Sequence, residues 1–334
     1  MVVPLQTSTV AAYHVRNGQP LWTATLDADQ ELAADEAHVY VTSGSTVHAL
    51  RLDSGMAVWR ADLETPASAP PLAHGGWVIA AAGDRVRAFR ASDGRLIWTA
   101  ETGRVAFRPA LDGDVLVVPV HDGTVRALDV VTGRERWTQR VGSPPVEPLA
   151  IGGRVYVGTA GKTLVSFHAA TGRREWRWAM GGLLRGRVAV DDRHIYLAGM
   201  DNILFALDRG NGAIRWRAGL TFRPASGPAV VGGLVVVPAA QVRSLPAFAA
   251  ETGAETGEIR FNALLAVMPV FATEGASRIL AAAVVGSLAE GFRLMLLEPA
   301  LVPQLQMAPL KEPPGELVPL ERPAQAPPPA ETIG

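Results

Sequence analysis

A six-residue phrase ending in tryptophan recurs six times: NGQPLW at 17–22, SGMAVW at 54–59, DGRLIW at 93–98, TGRERW at 132–137, TGRREW at 171–176 and NGAIRW at 211–216. Its glycines, Gly18, Gly55, Gly94, Gly133, Gly172 and Gly212, are spaced 37, 39, 39, 39 and 40 residues apart. A seventh copy follows 41 residues on, at Gly253, where a second Thr-Gly puts Phe261 in the tryptophan's place. A small residue stands six positions before each glycine from the first to the seventh: Ala12, Ala49, Ala88, Ala127, Ser166, Ala206 and Ala247. A fixed period of this length marks a unit that cannot bury its apolar face alone, so neighbouring units must stack.

Each unit has the same internal order. In 109–137 a short strand, a Gly turn, an apolar strand and an Asp-Gly turn precede two strands flanking Thr132-Gly133. The second strands, VYVTS, WVIAAA, VLVVPV, VYVGTA, IYLAGM and LVVVPA, are rich in residues that favour strand. Their near-continuous apolarity implies sheets covered on both faces. Gly44, Gly83, Asp122-Gly123, Gly161 and Asp201-Asn202 follow as hairpin turns, which tolerate or require positive φ. No segment shows a helical period. Four short strands per unit predict an all-β chain, a β-propeller with one sheet per blade rather than a solenoid. Residues 1–308 form the propeller on this reading. About 310 residues at roughly 39 per unit give eight blades, with seven left open. The chain opens on what reads as a second strand (VVPLQ), and PVFATEG, RILAAAVV and FRLMLLEPA read as three strands of a last unit. Closing the ring would pair an incomplete first blade with an incomplete last one. Residues 309–334 are Pro-rich and read as a disordered tail or linker, with docking as polyproline II the alternative.

Composition narrows the function. The 31 basic and 32 acidic residues give a net charge of -1, which provides no electrostatic footprint for nucleic acid. There is no cysteine, so disulfides, thiolate metal sites and cysteine nucleophiles are excluded. The apolar stretch 264–292 is broken by Pro269, Glu274, Arg278 and Glu290, so no transmembrane segment is expected. The first ten residues carry no signal-peptide pattern. Nucleophile elbows, P-loops and dinucleotide fingerprints do not occur. His14, His38, His48, His74, His121, His168 and His194 show no metal-ligand spacing. Asp112, Asp114, Asp191 and Asp192 sit in turns and read as loop solvation. No catalytic, cofactor-binding or metal-ligating residue is assigned, and a monomer is expected.

The phrase, cleanest in Ala127-Leu128-Asp129…Thr132-Gly133…Trp137, resembles the PQQ-like repeat of quinoprotein-type propellers. The resemblance covers residues 1 to about 300. It implies that Trp22, Trp59, Trp98, Trp137, Trp176 and Trp216 dock between blades, each on a neighbour's glycine. A flat ring requires a glycine opposite, because a Cβ would block it. Arg51, Arg90 and His168 replace the Asp in degenerate copies and are expected to be solvated. Quinoprotein dehydrogenases in this class hold a pyrroloquinoline quinone and calcium, usually in much longer chains with a cysteine pair. A quinone-dependent oxidoreductase is thus the weakest reading.

In size and blade count the chain is similar to BamB-like lipoproteins of the outer-membrane β-barrel assembly machine. That resemblance implies a non-catalytic scaffold, periplasmic and outer-membrane-associated, whose partner is the barrel-inserting subunit. Gly182-Leu183-Leu184-Arg185-Gly186 resembles that family's partner-contacting loop. Exposed Leu183 and Leu184 beside a guanidinium would form an anchor. If the leucines turn inward, the segment is an ordinary connection. Arg104, Arg108, Arg185, Arg187 and Arg223 precede first strands and would form a basic rim at one propeller end, with Arg108, Arg185 and Arg187 as the partner-binding set. A lipidated cysteine and signal would require a start upstream of Met1, whereas a true start at Met1 implies a cytosolic protein. The alternative function is a generic adaptor or sensor propeller.

Overall fold

The computed structural model describes residues 2–5, 8–14, 19–239 and 244–260, and then the strands 270–274, 278–287, 291–297 and 301–303. Gly18, Phe261 and the 309–334 tail lie outside the described residues. Among the described residues every regular element is a strand, and the strands form eight antiparallel sheets in chain order. The chain is an all-β propeller, and each sheet is one blade.

The fourth blade shows the pattern: Ala110–Asp112, Val115–Pro119, Thr124–Asp129 and Glu135–Arg140 pair in sequence order. Five blades have four strands in this order. The first blade (Val2–Leu5, Thr9–Tyr13, Pro20–Thr25) and the eighth (Val270–Glu274, Arg278–Ser287, Gly291–Leu297) have three each. They remain separate sheets rather than sharing strands. Leu301–Pro303 instead pairs with Glu255–Arg260, adding a fifth strand to the outer edge of the seventh blade.

The second strands are buried along almost their whole length, as continuous apolarity requires. Core clusters form between blades. Ile79 and Val86 of the third pack with Leu116 and Leu128 of the fourth, and Tyr156 of the fifth with Ile195 and Leu207 of the sixth.

Each tryptophan binds the next blade in the same way. Trp22, Trp59, Trp98, Trp137, Trp176 and Trp216 lie over Gly55, Gly94, Gly133, Gly172, Gly212 and Gly253. A Cβ on any of these glycines would stand 2.4–2.7 Å from an indole carbon, and all six have φ between +68 and +72°. Each indole N–H donates to the carbonyl three residues before its glycine, at Leu52, Ala91, Val130, Ala169, Arg209 and Ala250, over 2.7–3.1 Å. Each glycine N–H bonds the carbonyl four residues back, which fixes the turn that presents it.

The small residues have an equally direct cause. Ala12, Ala49, Ala88, Ala127, Ser166 and Ala206 are the cross-strand partners of the six tryptophans, each beside a register shift. A larger side chain there would displace the ring. In the seventh blade Ala247 pairs with Gly257, so the first of the two Thr-Gly pairs is the turn, and Gly257 takes the tryptophan position assigned to Phe261 from sequence.

The turns required one correction. Gly44, Gly83, Gly123 and Asn202 have positive φ, but in the Thr159–Thr163 hairpin Lys162 carries it (φ 59°), not Gly161. Gly161 is needed for space, since its Cβ would stand 2.5 Å from Ser143 Oγ.

Candidate functional site

The loops before the first strands converge at one end, as their shared position in the repeat requires. They enclose a cavity of about 1000 Å³. Glu31 comes from the second blade, Phe107 and Arg108 from the fourth, Glu147 from the fifth, Leu184–Val188 from the sixth and Ala225–Pro228 from the seventh. Residues from five blades around one space place it at the mouth of the propeller.

Arg108, Arg185 and Arg187 all line this mouth, whereas Arg104 and Arg223 are exposed and do not. The rim is not uniformly basic. Arg108 pairs with Glu31 at 3.1 Å and donates to the Leu32 carbonyl at 3.3 Å, which ties the fourth blade to the second. Arg187 pairs with Glu147 at 3.7 Å. Burial pushes the Glu147 carboxyl above its ordinary range, while Arg187 and Arg108 oppose that rise. Three arginines against two glutamates leave one net positive charge. The glutamates escaped the sequence reading because Glu31 and Glu147 lie far apart in the chain and each looks like an ordinary loop residue.

The Leu183-Leu184 pair splits. Leu183 is 45% exposed, while Leu184 is 8% exposed and packs with Met180, Val188 and Ile195. A bridge between Leu184 and Gly199 sets this alternation. Leu184 fills the space over Gly158, where a Cβ would stand 2.2 Å from it. Exposure of both leucines is therefore corrected to Leu183 alone. Arg185 Nε donates to the Ala225 carbonyl at 3.0 Å. Beside it, Gly186 (φ 68°) packs against the Gly227 backbone. A Cβ on Gly227 would stand 1.9 Å from the Arg187 carbonyl oxygen, so the two loops pack backbone against backbone as one ledge. Among the described residues, Phe107, 42% exposed, lines the mouth beside the arginines, and Leu183 is exposed on the loop that carries Arg185 and Arg187.

Two Asp–His–Tyr groups invite a catalytic reading, which their geometry answers. The Tyr196 hydroxyl donates to Asp191 Oδ2 at 2.5 Å and lies 3.0 Å from the Ala250 carbonyl, the one that accepts from Trp216. His194 Nδ1 lies 3.2 Å from the same hydroxyl. Asp35, His38 and Tyr40 repeat this in the second blade around the Ala91 carbonyl, which accepts from Trp59. Burial opposes ionisation of Asp191, but hydrogen bonds from Tyr196 and the backbone of His194 and Arg193 hold its carboxyl below the ordinary range. Burial and the Asp191 contact push the Tyr196 hydroxyl far up. These groups brace the tryptophan locks. The turn carboxylates are likewise more than solvation. Asp112 accepts from the Gly153 amide across a blade junction at 2.6 Å, and Asp114 pairs with Arg136.

The degenerate copies exchange partners. Asp129 accepts from Arg136 and from Thr132, whose hydrogen bonds bring its carboxyl down to about 2. Arg51 and Arg90 stand where the Asp would be and pair with Asp53 and Asp93 downstream. His168 contacts Thr171 at 3.2 Å. Among the described residues no three His, Asp or Glu side chains converge as a metal site, and no helix is long and apolar enough to cross a membrane.

The blades, locks and mouth define a propeller of PQQ-like repeats. The model for Outer membrane protein assembly factor BamB matches residues 6–148 and 121–263, and the chain belongs to that family. BamB from Moraxella catarrhalis superposes with a TM-score of 0.68 at 20% identity, over 89% of this chain and 93% of that one. The computationally designed Ika8 protein gives a TM-score of 0.74 at 15% identity, over 89% and 92%. Quinohemoprotein alcohol dehydrogenase from Comamonas testosteroni gives 0.67 at 14% identity, over 86% of this chain and 69% of that one. At these identities the likeness is one of fold. No curated protein sequence matches the chain.

Proposed function

We propose that this chain is a non-catalytic scaffold that binds a protein partner in outer-membrane β-barrel assembly, on the periplasmic side of that membrane. The observation that carries the reading is the ledge at the propeller mouth. There Leu183 is exposed on the same loop as the mouth-lining Arg185 and Arg187, and this loop packs against the next at the Gly186–Gly227 contact. An exposed apolar side chain on one loop with guanidinium groups, held by backbone packing, has the makings of an interface hot spot, because little ordering entropy is lost on binding. The family assignment supports the partner class, and the barrel-inserting subunit of the assembly machine is the partner we name. Commitment of both Asp–His–Tyr groups to the blade locks supports a binding rather than a catalytic role.

The test is retention of purified chain on the immobilised periplasmic domains of the barrel-inserting subunit. Wild type should be retained, and Leu183→Ala with Arg185→Ala should weaken retention by roughly 2 kcal/mol or more, the scale of a hot spot. Wild-type chain that passes through unretained would refute the reading.

A further inference from the structure

A second pocket, away from the mouth, lies in the cleft between the fourth and fifth blades. It holds about 300 Å³ and is lined by Arg140, Arg174 and Arg177, with Val165 and Phe167 as an apolar floor. The floor residues are almost wholly buried, at 3% and 2% exposure. No carboxylate lines the pocket. Among the described residues, none of the three guanidinium groups takes part in the ion pairs that engage Arg51, Arg85, Arg126, Arg136 or Arg215. Asp122, outside the lining, senses Arg140 at longer range. Its carboxyl is lowered first by Thr124 and then, in part, by Arg126 and Arg140.

The repeat supplies an internal control. Arg140 is the third residue after its tryptophan, Arg174 the second after its turn glycine, and Arg177 the first after its tryptophan. The same three positions read Glu101, Glu135 and Thr138 at the junction before, and Gly219, Glu255 and Glu258 between the sixth and seventh blades. The other described junctions carry a single arginine at most, Arg60 or Arg217. Blade packing therefore does not require arginine at these positions. Three like charges around one cleft repel one another, a cost that a bound anion removes.

We propose that this cleft is a binding site for a phosphate group. Three guanidinium forks match the several oxygens of a phosphate better than the two of a carboxylate, and their charge suits a dianion. The apolar floor strengthens the attraction and offers a surface to the organic part of a phosphate ester. The volume is at the small end of ligand sites, enough for a head group and no more. The cleft shares no lining residue with the mouth.

Calorimetric titration with glycerol 3-phosphate at low salt is the test, with vesicles of phosphatidylglycerol or phosphatidylcholine as a second arm. Saturable binding is expected in at least one arm, weakened roughly tenfold or more by Arg174→Gln with Arg177→Gln and by raised salt. Arg217→Gln, the lone arginine of the next junction, should leave it unchanged. Binding of the soluble ester alone identifies a free phosphate compound, and binding of phosphatidylglycerol vesicles but not phosphatidylcholine identifies a lipid head group. Arg140→Gln, on the other blade, carries the test if the double variant melts early. No saturable binding in either arm, or binding equal in wild type and the arginine variants, would overturn the proposal.

Discussion

If the ring-on-glycine contact is what joins the blades, its two halves must be energetically coupled. Trp98 and Gly133 isolate the term. Trp98 is 9% exposed, donates to the Val130 carbonyl at 2.7 Å and packs with Ile79, Leu116 and Leu128. Trp98→Ala should cost about 3–5 kcal/mol, the scale of an aromatic deletion from a packed core, of which about 1 kcal/mol is the hydrogen bond. Gly133→Ala adds a Cβ 2.7 Å from Trp98 carbons at φ +71°. The left-handed backbone costs about 1–2 kcal/mol for any L side chain, and the clash should add about 1–3 kcal/mol. Gly113 supplies the reference, since its φ is +60° and a Cβ there meets nothing within 4 Å. Gly113→Ala should therefore show the backbone cost alone. In a Trp98→Ala background Gly133→Ala should fall to that same value, giving a coupling of about 2 kcal/mol. Urea unfolding followed by circular dichroism and fluorescence measures all five proteins, and coincident transitions allow conversion to free energy. A Gly133→Ala cost that is equal with and without Trp98 would refute the lock.

Other expectations follow from the same geometry. Leu184→Ala should destabilise by about 2–4 kcal/mol by emptying the space over Gly158, whereas Leu183→Ala should shift stability by less than about 0.5 kcal/mol; thermal melts of the two variants separate them. Arg187→Gln removes a group that opposes the burial effect at Glu147, so that carboxyl should rise further, as read by carbon NMR titration. Asp129, lowered from 3.8 to about 2 in the folded chain, gives stability that is complete above the unfolded value and lost as pH falls through the folded one. Asp129→Asn should therefore lower the melting temperature at pH 7 and narrow the gap to wild type toward about pH 2. Tyr196→Phe should cost about 1–2 kcal/mol of stability, because it leaves the buried Ala250 carbonyl with one donor and strips Asp191 of another, while leaving partner retention intact.

The blade locks were legible because covalent geometry dictates them. A ring, a glycine in the left-handed region and a small cross-strand residue must recur at fixed offsets, as with Trp137, Gly172 and Ala127. The direction of Leu184 was not legible, since it depends on a bridge to Gly199, which the repeat does not announce. Lys162 in place of Gly161 escaped for a similar reason. The glycine is demanded by Ser143 of another turn, so its local signature misleads. Glu31 and Glu147 became rim residues only when five loops were brought to one end. The second Thr-Gly offered two registers, and strand pairing of Ala247 with Gly257 chose between them.

This division has a physical basis. Positions that hold one blade to the next see the same surroundings in every unit, so they converge on the same residues and repeat. Positions facing the mouth or the outer clefts see surroundings that differ from blade to blade, and nothing in the packing holds them to a pattern. Side chains that depart from the repeat without a packing reason are therefore where binding should be sought. Exposed Leu183 at one end, and Arg140, Arg174 and Arg177 in one cleft, are such departures. The two Asp–His–Tyr groups have the composition of a catalytic site but bond the lock carbonyls Ala91 and Ala250, and so serve blade packing. Substituting the two arginine sets separately distinguishes the roles. Loss at the mouth should remove partner retention with phosphate binding intact, and loss in the cleft should do the reverse.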